Sequence, residues 1–234
     1  MIVCSFALPD ESDRFRQRLS HPGQVKTGAL PWVLGNLGRH ELLVVHTGIG
    51  LKSADKIARE VLAEYEPWLW ISSGLAGAVD GNLGAGDLFL GRNMSDGRIL
   101  DKAALVKLPH ISIRTGHLIS VQEPVENAAD KEQLGLENGA SAIDMETAAI
   151  VERCSEKGIP VLSARAISDV ASQSLPVPFH VWFNERAQRP RTVALLFFLL
   201  CHLEKVPPFV NFVGNVFLAK KNLARFLCSC LESL

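Results

Sequence analysis

Two short acidic motifs bracket one stretch of the chain, residues 142–172, AIDMETAAIVERCSEKGIPVLSARAISDVAS. Asp144-Met145-Glu146 lies near its start and Arg165-Ala166-Ile167-Ser168-Asp169 near its end. The spacing predicts a helix from near Asp144, ended by Gly158 and Pro160, then a buried strand Val161 to Ala166 with Ser168 and Asp169 at its carboxyl end. Open α/β sheets hold ligands at such ends, where a carboxyl group can donate a proton or accept hydrogen bonds from hydroxyls. Within a helix, side chains two apart diverge, so Asp144 and Glu146 are not expected to face one pocket. Asp144 suits a cap, accepting a first-turn N–H. Glu146, followed by the small residues Thr147, Ala148 and Ala149, suits close approach to a ligand. A third acidic group, Pro9-Asp10-Glu11-Ser12-Asp13-Arg14, follows the first apolar run, where a surface-loop acid is the competing reading.

The elements that must position these groups are visible as short apolar runs. Ile2 to Phe6, Leu42 to His46, Trp68 to Ser72, Asp87 to Leu90, His117 to Val121 and Val161 to Ala166 are mostly continuous, as strands covered on both faces should be. Between two of them, Ala54, Ile57, Ala58, Val61, Leu62 and Tyr65 form one helical stripe. Strand then helix, repeated, implies an α/β layered fold with helices on both faces of the sheet. Glycine-rich turns, His46-Thr47-Gly48-Ile49-Gly50 and Ser72-Ser73-Gly74-Leu75-Ala76-Gly77, follow two of the strands. No G-x-G-x-x-G follows the first strand, so a dinucleotide-binding reading fails.

Residues 192–234 change character and are expected to form a helical extension packed on an α/β domain of residues 1–191. Val193 to Cys201 is strongly apolar but far short of the ~20 residues a spanning helix needs. His202, Glu204, Lys205 and Pro207-Pro208 separate it from VNFVGNVFLA. A terminal helix then carries Leu223, Phe226, Leu227, Cys230, Leu231 and Leu234 on one stripe. Packing on the core or on another subunit is the plainer use of this tail. A peripheral membrane or lipid-substrate surface is the sharper one, because apolar residues beside Lys220, Lys221 and Arg225 suit such contact.

Composition limits the partners. With 234 residues and 47% hydrophobic content the chain can bury a sizeable core, which argues against disorder. Twenty-four Lys and Arg against 25 Asp and Glu leave a formal net charge of −1, so no whole-molecule field attracts nucleic acid. The five cysteines form no CxxC pair and meet no His cluster at metal spacing, so no metal is expected. Cys228 and Cys230 read as half-buried helix residues. The N-terminal segment lacks a basic n-region and does not read as a secretory leader, and a cytoplasmic location is expected.

Taken together, Gly48-Ile49-Gly50, SSGLAGAVDGNLGAGD from Ser72 to Asp87, Asp144-Met145-Glu146 and Arg165-Ala166-Ile167-Ser168-Asp169 resemble the nucleoside phosphorylase and nucleosidase superfamily, in its order and over residues 1 to about 172. The superfamily includes purine nucleoside phosphorylases, methylthioadenosine/S-adenosylhomocysteine nucleosidases, futalosine hydrolases and hopanoid-associated phosphorylases. The resemblance implies a three-layer αβα sandwich with a mixed, twisted central sheet, and cleavage of a purine N-glycosidic bond through an oxocarbenium-like sugar. It implies catalytic roles for Asp169, donating a proton toward purine N7, and for Glu11, activating water, with Asp10 as the fallback. The Asp169 role calls for a pKa raised by burial or by a neighbouring acid. Glu146 matches the residue that binds ribose hydroxyls, Met145 packs on the sugar, and Arg165 and Ser168 support the aspartate. Val125, beside Pro124, falls near a base-stacking position, and Gly74, Leu75 and Ala76 complete the implied binding set.

Phosphorolysis needs a cationic cradle, supplied in the purine branch partly by an arginine and a serine that align with Ser72 and Leu75. Neither carries an arginine's charge. Backbone amides near Gly74 and Gly50, with Arg14, remain as an anion site, but water is the better expectation. No cofactor is implied, and phosphate is a co-substrate only if the enzyme is a phosphorylase. The C-terminal tail resembles that of the hopanoid-associated proteins, which implies adenosylhopane, a lipid-linked nucleoside, as substrate. A methylthioadenosine/S-adenosylhomocysteine nucleosidase, a phosphorylase, and a non-catalytic nucleoside-binding or membrane-associated module are the alternatives. Relatives of this kind are homo-oligomers, dimers or hexamers.

Overall fold

Ile2–Phe6 is buried at all five positions, as a strand covered from both sides must be. The computed structural model describes residues 1–26, 30–184 and 187–234. In chain order the elements are β1 (Ile2–Phe6), α1 (Pro9–Arg16), β2 (Ser20–Lys26), β3 (Trp32–Leu37), β4 (His40–His46), α2 (Leu51–Glu64), β5 (Leu69–Ala78) and β6 (Leu88–Gly91). There follow α3 (Gly97–Ala104), β7 (Ile113–Gly116), β8 (Leu118–Ser120), α4 (Ala128–Asn138), β9 (Ala142–Asp144), α5 (Thr147–Glu156), β10 (Val161–Asp169), α6 (Phe179–Trp182), α7 (Thr192–Cys201) and α8 (Val206–Ser233).

Among the described residues ten strands form one mixed sheet with the path β2-β3-β4-β1-β5-β10-β6-β7, while β9 pairs with the end of β5 and β8 with β9. The central strands β4, β1, β5 and β10 are parallel. Side chains alternate between the two faces. Ile2, Cys4 and Phe6 join a core with Phe15 of α1 and with Leu223, Phe226, Leu227, Cys230 and Leu231 of α8. Val3 faces the other way, toward Ala54, Ala58 and Val61 of α2 and Ala149, Ile150 and Cys154 of α5. The expected αβα layering and mixed sheet are therefore present. Each of these buried α8 side chains contributes about 2 kcal/mol, so the C-terminal half of α8 belongs to the core.

Several boundaries differ from the expectation, each for a local reason. The glycine-rich segment after Ser72 does not turn; β5 runs on through it to Ala78. Gly74 has φ +149°, and a Cβ there would lie 2.6 Å from Arg165 Nη1 and 3.0 Å from Glu11 Oε2, so glycine lets the strand continue where two charged side chains press on it. Strand β10 likewise extends to Asp169, with a register shift against β5 between Ile167 and Asp169. Asp144 ends β9, and α5 begins only at Thr147. Pro207 and Pro208 sit in the first turn of α8, where an absent N–H costs nothing. They open α8, and the helical path breaks just before them, so the two apolar runs are separated as expected. Helices α7 and α8 meet at a bend of 110°, and among the described residues no single helix is long and apolar enough to span a membrane.

Holding an L side chain at the Gly74 backbone costs about 1–3 kcal/mol before any clash is counted. We expect Gly74→Ala to lower the melting temperature by about 5 °C in a chain of this size. Gly81→Ala, where an added methyl group meets nothing within 4 Å, should leave it unchanged. Thermal denaturation of the two variants checks this.

Candidate active site

Helix α1 carries Glu11 to the carboxyl ends of β1 and β5. Its position is set by Phe15, fully buried in the core, and by Ser12, whose hydroxyl lies 2.7 Å from His46 Nε2 and donates to Pro9 O. Glu11 Oε2 accepts the Ala7 N–H at 3.2 Å. Burial pushes the Glu11 carboxyl up to about 7, against partial opposition from Arg165 and from that N–H. A carboxylate of that basicity can take a proton from water near neutral pH. Its neighbour Asp10 points outward, with its side chain 76% exposed, and pairs with Lys220 of α8 at 2.6 Å.

Arg165, on β10, is the buried cation beneath this end of the cavity. Its Nη2 pairs with Asp144 Oδ2 at 2.5 Å and donates to Ser72 Oγ at 2.9 Å and to Thr147 Oγ1. Asp144 also accepts the Thr147 N–H at 3.0 Å and the hydroxyls of Thr147 and Ser120. It thus caps α5 as expected while neutralising the guanidinium. Glu146 Oε1 accepts the Gly50 N–H at 2.9 Å. Burial first, then the neighbouring Asp144 charge, raise the Glu146 carboxyl above the usual carboxylate range. The loop that offers Gly50 is pinned by Gln188, which accepts the Ile49 N–H at 2.7 Å and donates to Ile49 O at 3.2 Å.

Asp169 ends β10 beside Gly77, where a Cβ would stand 3.0 Å from Asp169 Oδ2. Ser168 Oγ donates to Asp169 Oδ1 at 2.7 Å. Lys131 of α4 meets Asp169 Oδ2 at 2.5 Å and also donates to Gln173 O at 2.9 Å. The charged neighbour of Asp169 is thus a lysine and not a second acid, while the Asp169 side chain is 14% exposed.

These groups line one cavity of about 460 Å³, within the range of small-molecule sites. Glu11, Leu75, Ala76, Val125, Met145, Glu146, Ser168 and Asp169 border it, as do Asp10 and Pro124. Arg165 and Gly74 lie behind that lining, and Arg14 is exposed away from it. The expectation that Asp144 and Glu146 cannot share a pocket is overturned, since both border this one. Residues 144–146 leave a strand through an irregular turn, with Glu146 at φ −132° and ψ −36°, so helical divergence does not apply.

A family model for the phosphorylase superfamily matches residues 1–102 and 98–196. The chain belongs to the phosphorylase superfamily. It is 23% identical over 220 residues to the 5'-methylthioadenosine/S-adenosylhomocysteine nucleosidase of Staphylococcus haemolyticus, covering 82% of this chain and 96% of that protein. The Staphylococcus epidermidis nucleosidase of the same name is 22% identical over 224 residues, covering 84% and 98%. Among solved structures, the Neisseria meningitidis nucleosidase in complex with methylthio-immucillin-A superimposes with a TM-score of 0.76 at 18% identity, covering 100% of this chain and 99% of that one. Futalosine hydrolase of Helicobacter pylori strain 26695 gives 0.71 at 18% identity, covering 100% and 97%. At such identities the structures carry the fold, which is the one the motifs implied.

Two features of this phosphorylase-superfamily site were not read from the sequence. Lys131 sits in AADKEQLGLEN, a polar stretch where a lysine looks solvated, and only the fold shows it buried. The far wall of the cavity comes from Phe179 and Trp182 of α6, Leu195 of α7, and Phe209, Phe212 and Phe217 of α8. The apolar character of the tail was legible, but not its place against the acidic groups.

The Glu11 shift has a stability consequence. Between the unperturbed value of 4.5 and about 7, the folded chain keeps a proton that the unfolded chain has released, so charging Glu11 lowers stability as pH rises through that window. We expect Glu11→Gln to unfold at a higher temperature than wild type at pH 8, with the difference nearly gone at pH 5. Scanning calorimetry at the two pH values checks it.

Proposed function

We propose that this chain is a purine nucleosidase that releases adenine by attack of water at the sugar anomeric carbon, on a nucleoside bearing a large apolar group at its 5′ position. As a member of the superfamily it is an enzyme of the purine nucleosidase and nucleoside phosphorylase class. The observation that carries the finer reading is the polarity of one cavity, carboxylates at one end and a wall of Phe, Trp, Leu and Val at the other. A ribose with its hydroxyls toward Glu146 and Met145 would point its 5′ group along that wall. Adenosylhopane is the substrate that the resemblance to hopanoid-associated proteins implies.

In this reading Glu11 takes a proton from water as its oxygen bonds to C1′. The C1′–N9 bond breaks, its electron pair passes into the purine, and N7 receives a proton at Asp169. Glu146 accepts hydrogen bonds from the ribose hydroxyls, and the carboxylates favour the cationic sugar of the transition state. Arg165, the cation nearest the glycine-rich strand, is already engaged by Asp144, Ser72 and Thr147, which leaves little for a phosphate ion and supports water. No metal or organic cofactor enters this chemistry. Val193, Leu196, Phe197 and Leu200 form an exposed apolar face on α7. With exposed Arg189, Arg191 and Lys205 beside it, that face supports peripheral contact with a membrane that supplies the substrate.

Adenine release from adenosine, methylthioadenosine and a long-chain 5′-alkyl adenosine, with and without phosphate, tests the reading. We expect phosphate-independent release that favours the alkyl compound, and Asp169→Asn to lose at least about 100-fold in kcat while still binding nucleoside. Strict phosphate dependence would make the enzyme a phosphorylase. Preference for methylthioadenosine would remove the lipid-type substrate.

A further inference from the structure

Lys131 has no part in the chemistry so far, yet its placement is costly. It is fully buried, and removing an ammonium group from water costs several kcal/mol unless it is well paired. An apolar side chain of similar length would fill the same space without that cost. The Nζ group makes three contacts, to Asp169 Oδ2 at 2.5 Å, Gln173 O at 2.9 Å and Val170 O at 3.4 Å. Among the described residues, Asp169 is the only carboxylate that pairs with it. The Asp169 carboxylate in turn receives a donor on each oxygen, Ser168 Oγ on Oδ1 and Lys131 Nζ on Oδ2. Asp169 borders the cavity, whereas Lys131 stands behind it.

A carboxylate occupied in this way holds no proton of its own to donate. The transferable proton of the pair is on Lys131. We propose that Lys131 stores the proton that leaves with the base and delivers it through Asp169. This rests on the nucleosidase reading above and adds to it the source of the proton. As the C1′–N9 bond breaks and its electrons enter the purine, N7 gains basicity. The proton on Nζ moves to Asp169 Oδ2 and passes on from the carboxyl group to N7. Asp169 ends as a carboxylate, Lys131 as a neutral amine and adenine as a neutral base. Lys131 then regains a proton from solvent, and the proton that Glu11 took from water returns to solvent, so the net change is the consumption of one water. Acting through Asp169 and not on the substrate, Lys131 is a positioning residue.

A nucleoside and an activated riboside separate this role from a structural one. 4-Nitrophenyl riboside loses its leaving group as a phenolate, which needs no proton. Lys131→Met is expected to lower kcat for adenosine by about 100-fold or more, with KM for adenosine and the turnover of 4-nitrophenyl riboside both within about threefold of wild type. Asp169→Asn should show the same selectivity. Undiminished adenosine turnover in Lys131→Met overturns the proposal, because Asp169 would then act alone. An equal loss on both substrates, or a kcat loss matched by a rise in KM, overturns it in favour of a structural role, and Lys131→Gln guards against a folding defect of the methionine variant. A wild-type protein that releases adenine from no nucleoside overturns the nucleosidase reading and this proposal with it.

Discussion

One guanidinium organises the acidic end of the cavity. Arg165 stands among Glu11 of α1, Asp144 at the end of β9 and Glu146 in the turn that follows, and among the described residues it pairs directly with only Asp144. The pair is buried on both sides, so its geometry must be closely held for the charges to be tolerated. Ser72 of β5, Thr147 at the start of α5 and the short hydroxyl contacts to Asp144 do the holding. Through them a single cation fixes where α5 begins and how closely β5 approaches β10. Glycine at position 74 provides the clearance this requires. Burial raises the Glu11 and Glu146 carboxyl groups above the usual range, and Arg165, paired with Asp144, only partly opposes it. In the proposed reading Glu11 is thereby a base that works near neutral pH.

The second charge pair, Lys131 with Asp169, comes from α4 and the end of β10. In the proposed reading the first pair leaves carboxylates free to accept a proton and to favour a cationic sugar, and the second keeps a proton ready for a departing purine. Ala76, Gly77, Val125 and Ile143 add apolar lining to the same cavity.

Much of this was legible in the residues. Continuous apolar runs marked the central strands, because both of their faces are covered, and the stripe from Leu223 to Leu231 marked the part of α8 that enters the core. The motif residues from Met145 to Asp169 reach the cavity because they end strands or follow them directly, the positions where a sheet exposes side chains to a ligand. What local pattern could not convey was the consequence of long-range packing. Gly74 and Gly77 signal a turn by composition, yet they continue a strand because Arg165, Glu11 and Asp169 crowd it from elsewhere in the chain. Lys131 looks solvated until α4 is docked. Helix α8 mixes two patterns because its C-terminal half packs on the sheet while its N-terminal half walls the cavity.

The central claim is that the acidic end of the cavity is built for a cationic sugar. It is tested most directly by calorimetric titration with two isosteric adenine C-nucleosides, one carrying a protonated pyrrolidine ring and the other a neutral ribose. The account predicts that the cation binds at least about 100-fold more tightly, as a transition-state mimic should, and that Glu146→Gln removes most of the difference. Equal affinity for the two ligands would contradict it.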